Sequence, residues 1–474
     1  MMIKKNDIIS LEIEDMSVRG EGIGHYEGMT FFIPGAVTKD VITAGVTKLK
    51  KTYGYARLVS IDKPSIHRVE EECPVAKKCG GCALQAVSYD YQLELKEKRV
   101  REDLIRIGGF SPELVDSVMK PIVSDREHVL RYRNKAQFPV SEDKDGETLI
   151  GFYAPHSHRI VPIDDCLLLH PVNEKIISVI RGYMRDNNVS SYDEETGKGL
   201  IRHILTRVGF NSGQIMVCIV INGYELPHAD LLWKELSGIP GMTSFSININ
   251  TKRANAILSD NTKTLFGQDT IEDTIGEVRF KISPNSFYQV NPYTTKLLYD
   301  KALSYAALTG NETVFDLYCG IGTISLFLAG NAKHVIGVEV VPQAIEDARE
   351  NAHLNGIENA KFITGTAEQV LSDWTGALAA GDSPDERTRE GVGIISRGPD
   401  VIVVDPPRKG LDPTCVEAML KFAPKRIVYV SCDPATLARD LKLLCDGGYE
   451  IKEVTPFDQF PNSNHTECCS VLTK

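Results

Sequence analysis

Three apolar runs in the carboxyl-terminal third of the chain each end in a chemically loaded tip. Thr313-Val-Phe-Asp316-Leu-Tyr-Cys-Gly320-Ile-Gly322 closes the first, Val401-Ile-Val-Val-Asp405-Pro-Pro-Arg408 the second, and Arg426-Ile-Val-Tyr-Val430 runs into Ser431-Cys432-Asp433-Pro434 at the third. Short continuous apolar runs bounded by Gly and Pro read as strands buried on both faces, which calls for an α/β fold. Open α/β sheets bind ligands at the carboxyl ends of their strands. A glycine loop, a carboxylate and a thiol at three such ends describe one pocket, and Cys432 is the group in it able to do covalent chemistry.

The glycine loop indicates the ligand. A dinucleotide fingerprint needs a third glycine where this chain has Ser325, and here the acid Asp316 precedes the turn. A carboxylate there repels a pyrophosphate but suits an amino or sulfonium group. Glu339, ending the next apolar run, stands where a second strand offers a carboxylate to ribose hydroxyls. Acid, glycine turn and second acid form an S-adenosylmethionine pattern, with a structural glycine turn in some other α/β enzyme as the competing reading.

Asp316-Leu-Tyr-Cys-Gly-Ile-Gly-Thr, Asp405-Pro-Pro-Arg, Tyr429-Val-Ser-Cys-Asp-Pro-Ala-Thr436 and His465-Thr-Glu467 together resemble the bacterial RNA uracil-5 methyltransferase family. Carbon 5 of uracil is not nucleophilic until a thiolate adds to C6, and a base must later remove the C5 proton. The resemblance puts the nucleophile at Cys432 and the base at Glu467. It also implies S-adenosylmethionine contacts from Gln289, Tyr318, Glu339 and Asp405. Asp-Pro-Pro followed by an aromatic is the motif of amine-directed methyltransferases, so Arg408 in that place argues for a pyrimidine attacked at carbon. A cysteine is more often a small buried hydrophobe than a nucleophile, and Cys319, Cys415, Cys445, Cys468 and Cys469 are expected to be packing residues.

A second constellation is Cys73-Pro-Val-Ala-Lys-Lys-Cys79-Gly-Gly-Cys82, with Cys166 far downstream. Three cysteines in ten residues of a chain holding 11, with no secretion signal, point to metal rather than a disulfide framework. The spacing alone leaves zinc and iron–sulfur open. The ribosomal-RNA members of the resembled family carry a [4Fe–4S] cluster on a Cys-x5-Cys-x2-Cys…Cys pattern, and the resemblance therefore implies such a cluster on Cys73, Cys79, Cys82 and Cys166.

The net charge of −11 is unhelpful to an RNA binder, but it is unevenly spread: residues 1–135 hold 22 Lys+Arg against 20 acids. Up to residue 64 the chain reads as all-β, since Ile9, Leu11 and Ile13 alternate with polar residues and glycines punctuate the turns. Lys48, Lys50, Lys51 and Arg57 interleave with Tyr53 and Tyr55, as either an RNA-contacting surface or a solvated strand edge. Val18-Arg-Gly-Glu-Gly-Ile-Gly and Phe32-Ile-Pro-Gly-Ala resemble the TRAM domain, an RNA-binding barrel. Arg131-Tyr-Arg-Asn-Lys135 offers a second RNA contact or an ordinary exposed strand.

The expected architecture is α/β. A TRAM barrel of oligonucleotide-binding type (1–64) and an α+β iron–sulfur and RNA-binding region (65–285) precede a Rossmann-like class I methyltransferase domain (286–474). An amphipathic helix at 89–108 is expected to pack on the catalytic domain, and 375–399 to form a mobile, inert loop. No apolar run spans a membrane, and unpaired cysteines with the cluster that the resemblance implies fit a reducing cytoplasm. The expected reaction is methylation of uridine at C5 in 23S ribosomal RNA, with no obligate protein partner. Transfer RNA as substrate, a cytosine-5 RNA methyltransferase and a noncatalytic RNA-binding iron–sulfur protein are the alternatives.

Overall fold

Ile9, Leu11 and Ile13 point inward from a strand whose alternate residues face solvent, and this period of two builds the first layer of the protein. The computed structural model describes residues 3–253, 256–380 and 398–474. Strands β1 (Ile8–Met16), β2 (Glu21–Tyr26), β3 (Met29–Pro34), β4 (Val41–Leu49) and β5 (Tyr53–Lys63) close into a barrel in the order β1-β2-β3-β5-β4. Closure leaves no unpaired edge, so the basic and aromatic residues of β5 stand on a barrel wall and not on an open sheet edge. Buried Asp40 secures the exit from the barrel, accepting hydrogen bonds from the Val37 and Ser65 amides and pairing with Arg68 at 2.6 Å.

The chain forms two compact units. One comprises Met1–Arg99, Gly151–Ile163 and Phe460–His465, the other Val100–Ile150, Asp164–Gln459 and Thr466–Lys474. A short segment almost at the end of the chain thus belongs with its beginning. Asn462 exchanges hydrogen bonds with Gln92, and the Phe460 carbonyl accepts from Lys96.

Strand β6 (Lys135–Glu142) lies in the second unit, β7 (Thr148–Tyr153) begins there, and β8 (Ile160–Pro162) belongs to the first; the second unit continues with β9 (Ile201–Val208), β10 (Ile215–Ile221), β11 (Met242–Ile249) and β12 (Thr262–Gly267). β9 and β10 are buried along their whole length and lie at the centre of the order β12-β11-β10-β9-β6. The hairpin of β13 (Ile271–Ile275) and β14 (Val278–Ile282) leads on to the final sheet.

That sheet contains β15 (Thr313–Leu317), β16 (His334–Glu339), β17 (Ala360–Thr364), β18 (Val401–Val404), β19 (Arg426–Ser431), β20 (Glu450–Phe457) and β21 (Glu467–Thr473), in the order β17-β16-β15-β18-β19-β21-β20. The first five are parallel and β21 runs antiparallel between β19 and β20. This is the expected Rossmann-like arrangement. Alternate residues feed two cores: Val314, Val401 and Val428 on one face, Phe315, Ile402 and Ile427 on the other. Val100 and Leu104, from helix Tyr89–Arg106, are buried in the second of these cores.

The segment expected to be a loop from 375 begins as helix, because Ala367–Ala380 is continuous; the rest, 381–397, lies outside the described residues. Among the described residues no helix is long and apolar enough to cross a membrane.

Candidate active site

The order of the strands reverses between β15 and β18, which is where an open α/β sheet forms its crevice. Beyond β15 the backbone turns sharply, with positive φ at Tyr318 (68°), Gly320 (55°) and Gly322 (82°). The Tyr318 and Cys319 amides donate to the Val338 carbonyl, which holds the turn against β16. Glu339, ending β16, accepts the Gly320 amide at 3.2 Å and the Val341 amide at 2.9 Å. A Cβ at Gly320 would meet no protein atom within 4 Å, so the turn opens onto free space beside the Glu339 carboxylate.

Asp316 is fully buried beneath this turn. One carboxylate oxygen accepts from Ser325 Oγ, while Oδ1 has no hydrogen-bond partner. Burial pushes its pKa up to about 7 against the lowering effect of the Ser325 bonds, with the nearby Glu339 adding to the rise. An unpartnered buried oxygen under an open glycine turn and a carboxylate at the next strand end fit a ligand with a cationic head and a ribose. Tyr318 lies half-buried beside them, its hydroxyl donating to Glu368 at 3.2 Å.

The thiol and the remaining carboxylates converge from β18, β19 and β21. Asp433 caps helix Pro434–Asp446 through the Ala435 and Thr436 amides, a device worth about 1 kcal/mol, and this fixes the turn that carries Cys432. β21 pairs antiparallel with β19, matching Ser431 to Cys468, so the register brings Glu467 level with Cys432. Burial and then the Glu467 and Asp405 carboxylates push the Cys432 thiol up to about 12, with Arg408 opposing. Burial, then Asp405, pushes Glu467 up to about 8. Burial, then Asp316, pushes Asp405 up to about 7. These shifts describe one coupled group, in which a buried carboxyl of raised pKa sits beside a thiol that must lose its proton to react.

The two further sequence-derived positions differ. Glu339 belongs to this group through its influence on Asp316. Gln289 is buried on the approach to helix Pro292–Ala306, its carbonyl accepting from Asn134 at 2.8 Å; among the described residues no hydrogen bond joins it to the Cys432 group. Two residues of interest were not found by sequence reasoning. Tyr299 is fully buried with its hydroxyl 2.9 Å from Thr323 Oγ1, and Asp405, Asp316 and Glu467 all raise its pKa, so it lies among all three carboxylates. Phe287, two residues before Gln289, is 67% exposed, an unusual state for a large apolar side chain. Cys319, Cys415, Cys468 and Cys469 are buried packing residues and Cys445 is half-buried.

The other four sequence-derived positions are Cys73, Cys79, Cys82 and Cys166. Among the described residues no three or more His, Cys, Asp or Glu side chains are placed to hold a metal ion. Cys73, Cys79 and Cys82 lie in the first unit on a run of turns, where the Cys79 amide donates to the Val75 carbonyl and the Gly80 amide to the Tyr153 carbonyl; Cys166 lies in the second unit. Burial raises the Cys79 thiol, with Cys73 adding to it and the Gly81 amide opposing. Mutually repelling thiolates converge when a bound metal supplies the free energy.

Residues 226–474 match the family described as tRNA (uracil-5-)-methyltransferase. An RNA methyltransferase of Halalkalibacterium halodurans is 47% identical over 471 residues, covering 99% of this chain and 98% of its own. Another from Listeria innocua is 46% identical over 472 residues, covering 100% and 99%. The crystal structure of the Pyrococcus abyssi tRNA (uracil-54, C5)-methyltransferase in complex with S-adenosyl-L-homocysteine is similar with a TM-score of 0.76 and 27% identity, over 98% of this chain and 100% of that one.

Proposed function

Because this chain belongs to the tRNA (uracil-5-)-methyltransferase family, we propose that it methylates C5 of a uridine in RNA through a covalent adduct on Cys432, with 23S ribosomal RNA as the substrate. The observation that carries this reading is the coupling of Cys432, Glu467 and Asp405 at the ends of three adjacent strands.

S-adenosylmethionine, when bound, supplies an electrophilic methyl group on sulfur. Glu339 and Tyr318, at the glycine turn, and Gln289 are the residues assigned to hold it. The Cys432 thiol loses its proton to water, and the sulfur bonds to C6 of the uracil, sending the ring electrons toward O4. C5 then takes the methyl group, and S-adenosylhomocysteine leaves as the sulfur–methyl bond breaks. Glu467 removes the proton from C5, the C6–sulfur bond breaks, and the thiolate is regenerated. Asp405 orients the uracil or the methyl donor, and the 67% exposure of Phe287 supports a role for that ring in stacking on a base drawn out of its helix.

Two substitutions test the roles. Cys432→Ala is expected to abolish methylation, and Glu467→Gln to accumulate a protein–RNA adduct that resists denaturing electrophoresis. Full activity in the first, or no adduct in the second, would contradict the assignments.

The 23S substrate rests on the barrel together with the Cys73, Cys79, Cys82 and Cys166 spacing. Transfer RNA is the second reading, favoured because the likeness to the P. abyssi transfer-RNA enzyme extends over 98% of this chain. A [4Fe–4S] cluster is supported by cysteine spacing alone. Iron and sulfide analysis of protein purified without oxygen tests it, with Cys82→Ser as the control. The division of labour into barrel (1–64), RNA-binding region (65–285) and catalytic domain (286–474), and a cytoplasmic location, belong to the same proposal.

A further inference from the structure

The basic and aromatic run Arg131–Lys135 was singled out as a sequence, and its side chains are used differently from what that pattern implies. Tyr132 is fully buried and unavailable for stacking. Arg131, whose φ is +59°, is clamped to Asp165 by paired hydrogen bonds of 2.7 and 2.5 Å and also donates to the Cys166 carbonyl. Its φ and its ion pair hold it as one wall of a recess in the second unit.

That recess has a volume of about 420 Å³, and Arg131, His170, Phe210 and Tyr293 are among the residues lining it. It shares no lining residue with the Cys432 group. The rings form a connected set. His128 stacks on Tyr293 at 3.6 Å and 7°, Phe210 stands edge-on to Tyr293 at 5.8 Å, and His170 is edge-on to Phe210 at 5.4 Å. All four rings keep part of their surface in solvent, whereas rings serving only the core would be covered. His170 Nδ1 accepts the Val172 amide, so its neutral ring carries the proton on Nε2. Burial and Arg131 lower its pKa and keep it neutral. The wall therefore offers aromatic faces and edges with a neutral donor, the surroundings of a base and not of a phosphate.

We propose that this recess takes one unstacked nucleobase of the substrate RNA, distinct from the uridine that meets Cys432. The inference rests on the RNA methyltransferase reading and adds a second base-binding site to it. Single-stranded RNA is recognised through splayed bases stacked on aromatic side chains. Occupation of this site would hold the strand open on one side of the target.

The test uses full-length enzyme and an RNA fragment that the wild type methylates, carrying single abasic nucleotides at each position around the modified uridine. Phe210→Ala should raise KM for RNA about tenfold while kcat stays within about twofold, and Phe210→Trp should restore it. One abasic position away from the target should weaken the wild type by a similar factor and cost Phe210→Ala nothing further. Should Phe210→Ala not fold, His170→Ala read against the same abasic series replaces it. An unchanged KM, or abasic penalties that add in full to the substitution at every position, would overturn the proposal. A wild type that methylates no RNA would instead overturn the functional reading beneath it.

Discussion

The Leu411 amide donates to the buried carboxylate of Asp440 at 2.8 Å, tying the loop that follows Asp405 to the helix that follows Cys432. The same carboxylate accepts the Tyr429 hydroxyl at 2.7 Å, two residues before Ser431 on β19. Arg439 completes the brace, pairing with Asp440 and donating to the Lys409 carbonyl at 2.9 Å. Gly410 must be glycine here, because a Cβ would lie 2.5 Å from the Asp440 carboxylate and φ is +76°. One residue thus cross-links the strand tips that deliver the thiol and the carboxylate.

Asp440→Asn keeps the size of the side chain but replaces one acceptor oxygen with an amide and weakens the Arg439 pairing. Because small misplacements at a reacting centre are costly, kcat should fall roughly tenfold or more. Affinity for S-adenosylhomocysteine should hold within about twofold, since the glycine turn is untouched. Single-turnover methylation and calorimetry check both. Equal losses in the two would show a general disruption and refute a positioning role.

Glu467 gives paired pH predictions of opposite sign. Its folded-state pKa lies near 8, above the ordinary value, because burial and Asp405 disfavour its charge. Stability from this group is complete below the unfolded pKa and is lost as pH rises through the folded value. The unliganded protein should therefore lose stability between about pH 5 and 8. Glu467→Gln should be the more stable form at pH 8 and gain less at pH 5, as urea melts would show. Proton abstraction needs the ionised carboxylate, so the rate of adduct resolution should rise over the upper part of that window. A flat stability difference would contradict the raised pKa.

Ser325 Oγ holds one oxygen of Asp316, and among the described residues no other side chain hydrogen-bonds that carboxylate. Ser325→Ala removes the hydroxyl donor and leaves only the backbone amide at that position to hold the buried group, which should cost about 1 kcal/mol in denaturant unfolding. Raising the Asp316 pKa further should also weaken binding of a cationic ligand, measurable as a higher dissociation constant for S-adenosylmethionine than for S-adenosylhomocysteine relative to wild type. Equal stability would indicate that Asp316 is satisfied elsewhere.

The strand tips were legible because a buried strand ending in Gly, Pro or a charged residue has few structural uses, and three of them in one α/β sheet must share an edge. Glu467 became legible only through motif resemblance, since its pairing level with Cys432 depends on β21 running antiparallel. Tyr299 was not legible: on its helix it occupies the same buried face as Leu298 and Ala302, and nothing in the pattern separates a tyrosine among carboxylates from one in a core. Nor was the placement of Phe460–His465 with the amino-terminal unit, which rests on pairings such as Asn462 with Gln92 across most of the chain. Tyr132 and Arg131 show the reverse case, where a recognisable basic and aromatic composition proves to be a buried ring and an ion-paired guanidinium.

The most direct test is nucleoside mass spectrometry on unmodified 23S ribosomal RNA and transfer RNA, each incubated with the purified protein and S-adenosylmethionine. The predicted result is 5-methyluridine in the 23S sample, absent with Cys432→Ala. A signal confined to transfer RNA would retain the chemistry and overturn the substrate. No 5-methyluridine in either RNA, from folded protein that binds S-adenosylmethionine, would contradict the account.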